Sequence, residues 1–124
     1  MQPDEIVSLF ITAIESHDVD RVLGMMSPDA EYDNVPMSKA VGHEAIRSVL
    51  SMFLSEGAST VEFKVLRQAA TGNIVMNERL DRLEMGGKIV EIPVAGVFEV
   101  DPATEKIVLW RDYFDMAQFS SQLA

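Results

Sequence analysis

Cysteine is absent from the 124 residues, which excludes disulfides, thiolate metal sites and a cysteine nucleophile. Histidine is scarce: His17 and His43 are the only two, and they stand too far apart in the chain to suggest a metal pair. Basic residues are also few, 10 Lys and Arg against 20 Asp and Glu, for a formal net charge of -10. A surface this acidic repels phosphate backbones and anionic bilayers, so neither nucleic acid nor a membrane is expected as a partner. A neutral or cationic small molecule suits it better. No apolar run approaches the roughly 18 residues of a membrane-spanning helix. Asp4 and Glu5 come early, without the basic-then-apolar layout of a leader. The expectation is a soluble, cytoplasmic protein.

What is present is ample core-forming material. With 48% hydrophobic residues, the chain reads as one domain over residues 1–124. A domain of this size buries roughly two-thirds of its unfolded surface, enough for a core and an internal pocket. The first half has helical spacing. Ile6, Val7, Leu9, Phe10, Ala13 and Ile14 mark a helix over 4–16, opened by Pro3 and Asp4. Asp18 to Met26 reads as a second helix, followed by a turn at Ser27-Pro28-Asp29 and a short strand over 31–35 that ends at Pro36. A third helix runs from Gly42 to Leu54, with Ala45, Ile46, Val49, Leu50, Phe53 and Leu54 inward and Gly57 as its stop signal.

The second half is strand-rich: 60–69, 73–84, 88–100 and 106–113, with a hairpin at Gly86-Gly87. Either Pro93 or Gly96 is expected to mark a bulge or bend in the long strand. Residues 116–123 form a short last helix. Helices first and antiparallel strands after means α+β, a curved sheet wrapped around the N-terminal helices.

Two strand segments carry charge where a buried strand should not. They are Asn77-Glu78-Arg79-Leu80-Asp81-Arg82 and Trp110-Arg111-Asp112-Tyr113-Phe114-Asp115. Strand residues two apart share a face and lie roughly 6.8 Å apart. Val75, Asn77, Arg79, Asp81 and Leu83 therefore point one way, as do Trp110, Asp112 and Phe114, and as do Ile92, Val94, Gly96 and Phe98. The sum is an apolar wall holding Arg79, Asp81 and Asp112, the composition of a small-molecule site. A carboxylate on an apolar face is costly unless paired or used. Two carboxylates and one arginine are the minimum parts of a metal-free acid–base site. They also make a structural ion pair, and parity alone leaves both readings open. Taken singly, Trp110 reads as core, Tyr32 and Asn34 as shapers of the turn before Pro36, His17 as a solvated cap and His43 as exposed.

The chain resembles the limonene-1,2-epoxide hydrolase family through Tyr32-Asp33-Asn34-Val35-Pro36, Gly42-His43-Glu44-Ala45-Ile46, Glu78-Arg79-Leu80-Asp81, Gly96-Val97-Phe98-Glu99 and Trp110-Arg111-Asp112-Tyr113-Phe114-Asp115. The pieces follow the family's order and span most of the chain. The resemblance implies a cystatin-like α+β cone enclosing a deep pocket, the fold shared with nuclear transport factors and ketosteroid isomerases. It implies a homodimer and a hydrolase that needs no cofactor and no metal, adding water to a small apolar epoxide to give a vicinal diol. Carried over by position, Asp81 is the general acid and Asp112 the general base. Arg79 lies between them, and Tyr32 and Asn34 hold the water. Trp110, Leu83, Ile92, Val94 and Phe114 line the substrate side, with Leu50 and Phe53 facing them from a helix. His43 stands where the family often has a basic residue.

Epoxide opening needs a base to activate water and an acid to protonate the departing oxygen. An unperturbed aspartate, with a pKa of about 3.9, is ionised at neutral pH, so the acid must be raised by burial and a nearby like charge. Two other classes stay in view: an isomerase or SnoaL-like cyclase of the same fold, and a non-catalytic small-molecule-binding dimer module. A dry isomerase site would not need the arginine bridge or the Tyr32–Asn34 water clamp.

Overall fold

In the computed structural model, which describes residues 1–54 and 60–124, helix α1 (Pro3–Glu15) opens the chain. Pro3 presets its first turn, and the Glu5 carboxylate accepts a 2.9 Å hydrogen bond from the Gln2 N–H. Its apolar stripe is buried through Ile6, Val7, Phe10, Ile11, Ala13 and Ile14. Helix α2 (Val19–Gly24) is capped by Asp18, whose carboxylate accepts from the Arg21 N–H. It stops two residues short of the expected end, because Met26 already opens a strand.

That strand, β1 (Met26–Val35), absorbs Ser27-Pro28-Asp29, the segment expected to be a turn. Pro28 has no N–H to donate, and the ladder with the neighbouring strand is interrupted between Met26 and Glu31. The two-residue strand β2 (Ala40–Val41) is too short to give an alternation signal in the sequence. Helix α3 (His43–Phe53) buries Ile46 and Leu50, with Val49 and Phe53 half-buried. Ala45, expected inward, is exposed at the edge of that stripe. The stop signal assigned to Gly57 lies outside the described residues.

Four long strands follow: β3 (Thr60–Thr71), β4 (Ile74–Met85), β5 (Lys88–Val100) and β6 (Ile107–Tyr113). Gly86 and Gly87, at φ 57° and 80°, make the two-residue turn closing β4 onto β5 at the Met85–Lys88 pair. The sheet order is β2-β1-β6-β5-β4-β3, with β1 and β6 parallel and every other pair antiparallel. The β4–β5 register runs unbroken past both Pro93 and Gly96, so neither marks a bulge. Pro93 lies beyond Ala95, where the β5–β6 ladder ends, and β5 is an edge on that side. The irregularities fall instead between Val65 and Arg67 and between Glu99 and Val100.

Helices α1 and α3 cover one face of this curved sheet, and the core lies between. Helix α4 (Met116–Leu123), capped by Asp115, packs on β5, where Phe119 and Leu123 cover Val90, Ile92 and Val94. Both histidines depart from expectation. His17 takes a positive φ of 64° between α1 and α2, with its Nδ1 2.7 Å from the Leu54 carbonyl at the end of α3. His43 is half-buried, with Nε2 3.0 Å from the Met26 carbonyl. Each ties two segments together.

Candidate active site

The strand registers bring the expected residues onto one face. Asn77, Gly96, Asp112 and Asn34 form a row across β4, β5, β6 and β1. The adjacent row is Val75, Phe98, Trp110 and Tyr32. On the other side Arg79 is paired with Val94, and Asp81 with Ile92. A carboxylate separated from another by 31 positions in sequence thus becomes its neighbour in space through β5, which contributes only Gly96 between Asn77 and Asp112.

Arg79 is the hub. Its Nε and Nη2 donate to Asp81 Oδ1 and Oδ2 at 3.0 and 2.8 Å. Its Nη1 and Nη2 donate to Asp112 Oδ1 and Oδ2 at 3.1 and 2.8 Å. Nη1 also donates to Asn77 Oδ1 at 3.1 Å. All five N–H groups are therefore used, and the plane of the fork is fixed. The side chain is fully buried, with the Phe63 ring centroid 4.6 Å from Cζ. Asp81 and Asp112 are each 4% exposed. This cluster is built at the cost of desolvating three charges, and removing any one strands the others.

Burial pushes the Asp81 carboxyl up to about 6, against the pull of its bonds to Arg79; the charges of Asp112 and Glu15 add to the rise. Glu15 reaches the site from α1, where its Oε2 accepts from the Phe63 N–H. For Arg79, burial works against the charge, but the two carboxylates overcome it and hold the guanidinium protonated. Burial, and then Asp112, raises the Tyr32 phenol; the Asn34 side chain, hydrogen-bonded to it, acts the other way. Tyr32 thus stays an O–H donor. Its ring stacks on Trp110 with centroids 3.9 Å apart and an interplanar angle of 13°. Phe10 meets the same indole edge-on at 5.1 Å, so α1 and the sheet together set where Tyr32 lies.

A family model described as limonene-1,2-epoxide hydrolase catalytic domain matches residues 1–124. The chain belongs to the limonene-1,2-epoxide hydrolase family. It is 37% identical over 110 residues to the epoxide hydrolase EphG of Mycobacterium tuberculosis (strain ATCC 25618 / H37Rv), covering 89% of this chain and 71% of that protein. A solved M. tuberculosis LEH-like epoxide hydrolase superposes with a TM-score of 0.81 at 35% identity, covering 96% of this chain and 86% of the other. A SnoaL-like polyketide cyclase from Shewanella denitrificans OS-217 superposes with a TM-score of 0.86 at 22% identity, over 98% and 96% of the two chains, a likeness of fold alone.

In this limonene-1,2-epoxide hydrolase family member, the expected apolar residues fall in two groups. Trp110 and Leu83 join the main core, as does Leu50 on α3, with Phe53 packed against it. Ile92 and Val94 form a second cluster with Val90, flanked by Phe114 and roofed by Phe119 and Leu123. Two surface hollows, of about 370 and 250 Å³, adjoin α1 near Asp4 and Ile6 and do not include the Arg79 cluster. Among the described residues, no group of three or more His, Cys, Asp or Glu is arranged to hold a metal.

Four contributors carry little signal in the sequence. Asn77 was visible by parity on the Arg79 face but carried no charge to mark it. Gly96 has the sequence signal of a bulge or bend, as Pro93 does. Glu15 and Gln68 had no local signal. Gln68 faces inward because the irregularity between Val65 and Arg67 shifts the alternation by one, pairing Gln68 rather than Arg67 with Asn77.

Proposed function

We propose that this protein opens an epoxide to a vicinal diol by one-step addition of water, with every proton carried by its own side chains. Tyr32, Asn34 and Asp112 position the water. Asp112 takes one of its protons as the oxygen attacks an epoxide carbon. The carbon–oxygen bond breaks as Asp81 gives its proton to the leaving oxygen. The product is a neutral diol, leaving Asp112 protonated and Asp81 ionised. Return of that proton to Asp81 resets the site. The substrate class is a small apolar epoxide. Trp110, Leu83, Ile92, Val94 and Phe114 on the sheet, with Leu50 and Phe53 on α3, supply its apolar surroundings.

The observation carrying this reading is one guanidinium forked onto two buried carboxylates. One positive charge beside two acids leaves the cluster short of neutral, and burial favours a proton on Asp81, which is the state the reaction starts from. Membership of the family and the likeness to EphG support the same chemistry. The outward sheet face, where Leu66, Met76 and Tyr113 are exposed, would receive a second copy in a homodimer.

The test is a panel of cyclic, aliphatic and aryl epoxides with chiral analysis of the diols. Asp81→Asn and Asp112→Asn are each expected to lose about 10³-fold or more in turnover while remaining folded. In ¹⁸O water, a single turnover should place the label in the diol. Label appearing on an aspartate would mean a covalent ester and would replace this scheme.

A further inference from the structure

Beyond the pair of acids and their arginine, a chain of neutral amides runs outward from the site. Asn77 Oδ1 accepts from Arg79 Nη1 at 3.1 Å. Asn77 Nδ2 donates to Gln68 Oε1 at 3.1 Å. Gln68 Nε2 donates to the Asp4 carbonyl and to Ser8 Oγ on α1, both at 3.2 Å.

The order of donors along this chain is not free. A backbone carbonyl can only accept, so the end of Gln68 facing Asp4 must be its NH₂. That turns Oε1 toward Asn77, which must answer with its own NH₂. Asn77 is then left with its oxygen toward Arg79, as a guanidinium requires. One main-chain carbonyl on α1 thereby sets the orientation of an amide buried beside the catalytic cluster. The geometry points to Asn77, oriented by Gln68, as a positioning residue that locks the Arg79 fork onto both carboxylates. This inference rests on the proposed reaction for its kinetic consequences, but not for its electrostatic ones.

The physical reason is a count of donors and acceptors. Nη1 carries two hydrogens, one for Asp112 and one for Asn77. Remove the Asn77 oxygen and a buried N–H is left without a partner. The fork can then satisfy it only by turning out of the plane that serves Asp81 and Asp112 together. A neutral acceptor is required at this place. A third carboxylate would add a further buried negative charge beside one guanidinium, and a donor would face Nη1 with like polarity. The irregularity in β3 supplies the other half of the device, because regular alternation would have pointed Arg67 at Asn77.

The test uses Asn77→Leu, Gln68→Leu and the double variant. Asn77→Leu should lower kcat about 100-fold with KM nearly unchanged, the effect of a misplaced catalytic group. Gln68 bonds to Asn77 and α1, and none of its hydrogen bonds is to Arg79 or either carboxylate, so Gln68→Leu should lower kcat only about 10-fold. Because Gln68 acts through Asn77, the double variant should be no worse than Asn77→Leu alone. In parallel, the titration of the Asp81 carboxyl carbon is followed by ¹³C NMR in the free protein. Its midpoint should rise in both single variants as the fork loosens. A role in packing alone would leave that midpoint in place. Gln68 is half-exposed, so its variant decides the matter even where Asn77→Leu does not fold. Folded variants with wild-type kcat and unshifted midpoints, or losses that multiply in the double variant, would overturn the inference. If the wild type opens no epoxide but the midpoints move, the proposed reaction fails and the positioning role stands.

Discussion

Gly96 lies directly against the Arg79 guanidinium: a Cβ at Gly96 would sit 2.4 Å from Nη1. It would also come within 2.8 Å of Asn77 Oδ1 and 3.0 Å of Asp112 Oδ1. These are the far ends of side chains, which could ordinarily swing aside. Here each is held by the others. Gly96→Ala is therefore expected to destabilise the fold by about 1–3 kcal/mol, as overpacking does. It should also lower turnover by about 100-fold through displacement of the fork. Urea unfolding and steady-state kinetics on the same preparation check both. A folded variant with wild-type turnover would mean the cluster has slack.

Arg79→Lys keeps the charge and loses the geometry. Lysine offers three donors from one point, whereas all five arginine donors are in use. It cannot fork onto two carboxylates at once. The expected outcome is a loss of about 3 kcal/mol in stability, as when a buried ion pair is broken. Turnover should fall below detection in a discontinuous diol assay. Retained activity would show that only the positive charge matters.

Tyr32→Phe separates the hydroxyl from the ring. The stack on Trp110 survives the change, so the thermal midpoint should move little. The loss should appear in kcat, about 100-fold, the size seen when one preorganised donor is removed from a site. Because the phenol is raised by burial and by Asp112, it does not ionise over the working range, and the ratio of wild-type to variant activity should stay constant as pH rises.

Asp81 gives the protein a pH dependence with a definite sign. Its carboxyl titrates near 3.8 when unperturbed and at about 6 in the fold. Between those values the native state holds more protons than the unfolded chain, so stability falls as pH rises. The contribution is fully present below the lower value and gone above the upper one. It amounts to about 3 kcal/mol at most, at 1.36 kcal/mol per unit. Asp81→Asn lacks this titration. Relative to wild type, the variant should therefore gain stability between about pH 4 and about pH 7. Parallel stability profiles for the two proteins would contradict the raised carboxyl.

Much of this site was legible because strand parity is a rigid rule. Arg79, Asp81, Trp110 and Asp112 could be placed on apolar faces from spacing alone, and the long hairpin from Gly86-Gly87. What spacing could not supply was the pairing between strands. Nothing local says that Asn34 lies beside Asp112, since a parallel ladder joins segments 78 positions apart. The family resemblance supplied that pairing. Irregularities were also hidden. Ser27-Pro28-Asp29 has the composition of a turn but lies within β1, where the ladder to β6 is interrupted. Gln68 was unreadable because one irregular step in β3 inverted the faces after it. Gly96 looked like a defect in a strand and is instead the space that the guanidinium fills. In each case a tertiary contact, absent from any short window, decided the outcome.

The parallel ladder between β1 and β6 carries a consequence for biogenesis. A ribosome-bound chain could form the β3–β4–β5 meander, and with it the Arg79–Asp81 bond, before residues 107–113 have emerged. Until β6 slots between β1 and β5, that arginine faces an empty lane where Asp112 belongs. Strand β6 is the keystone, and any truncation short of it would leave Arg79 bonded to one carboxylate instead of two.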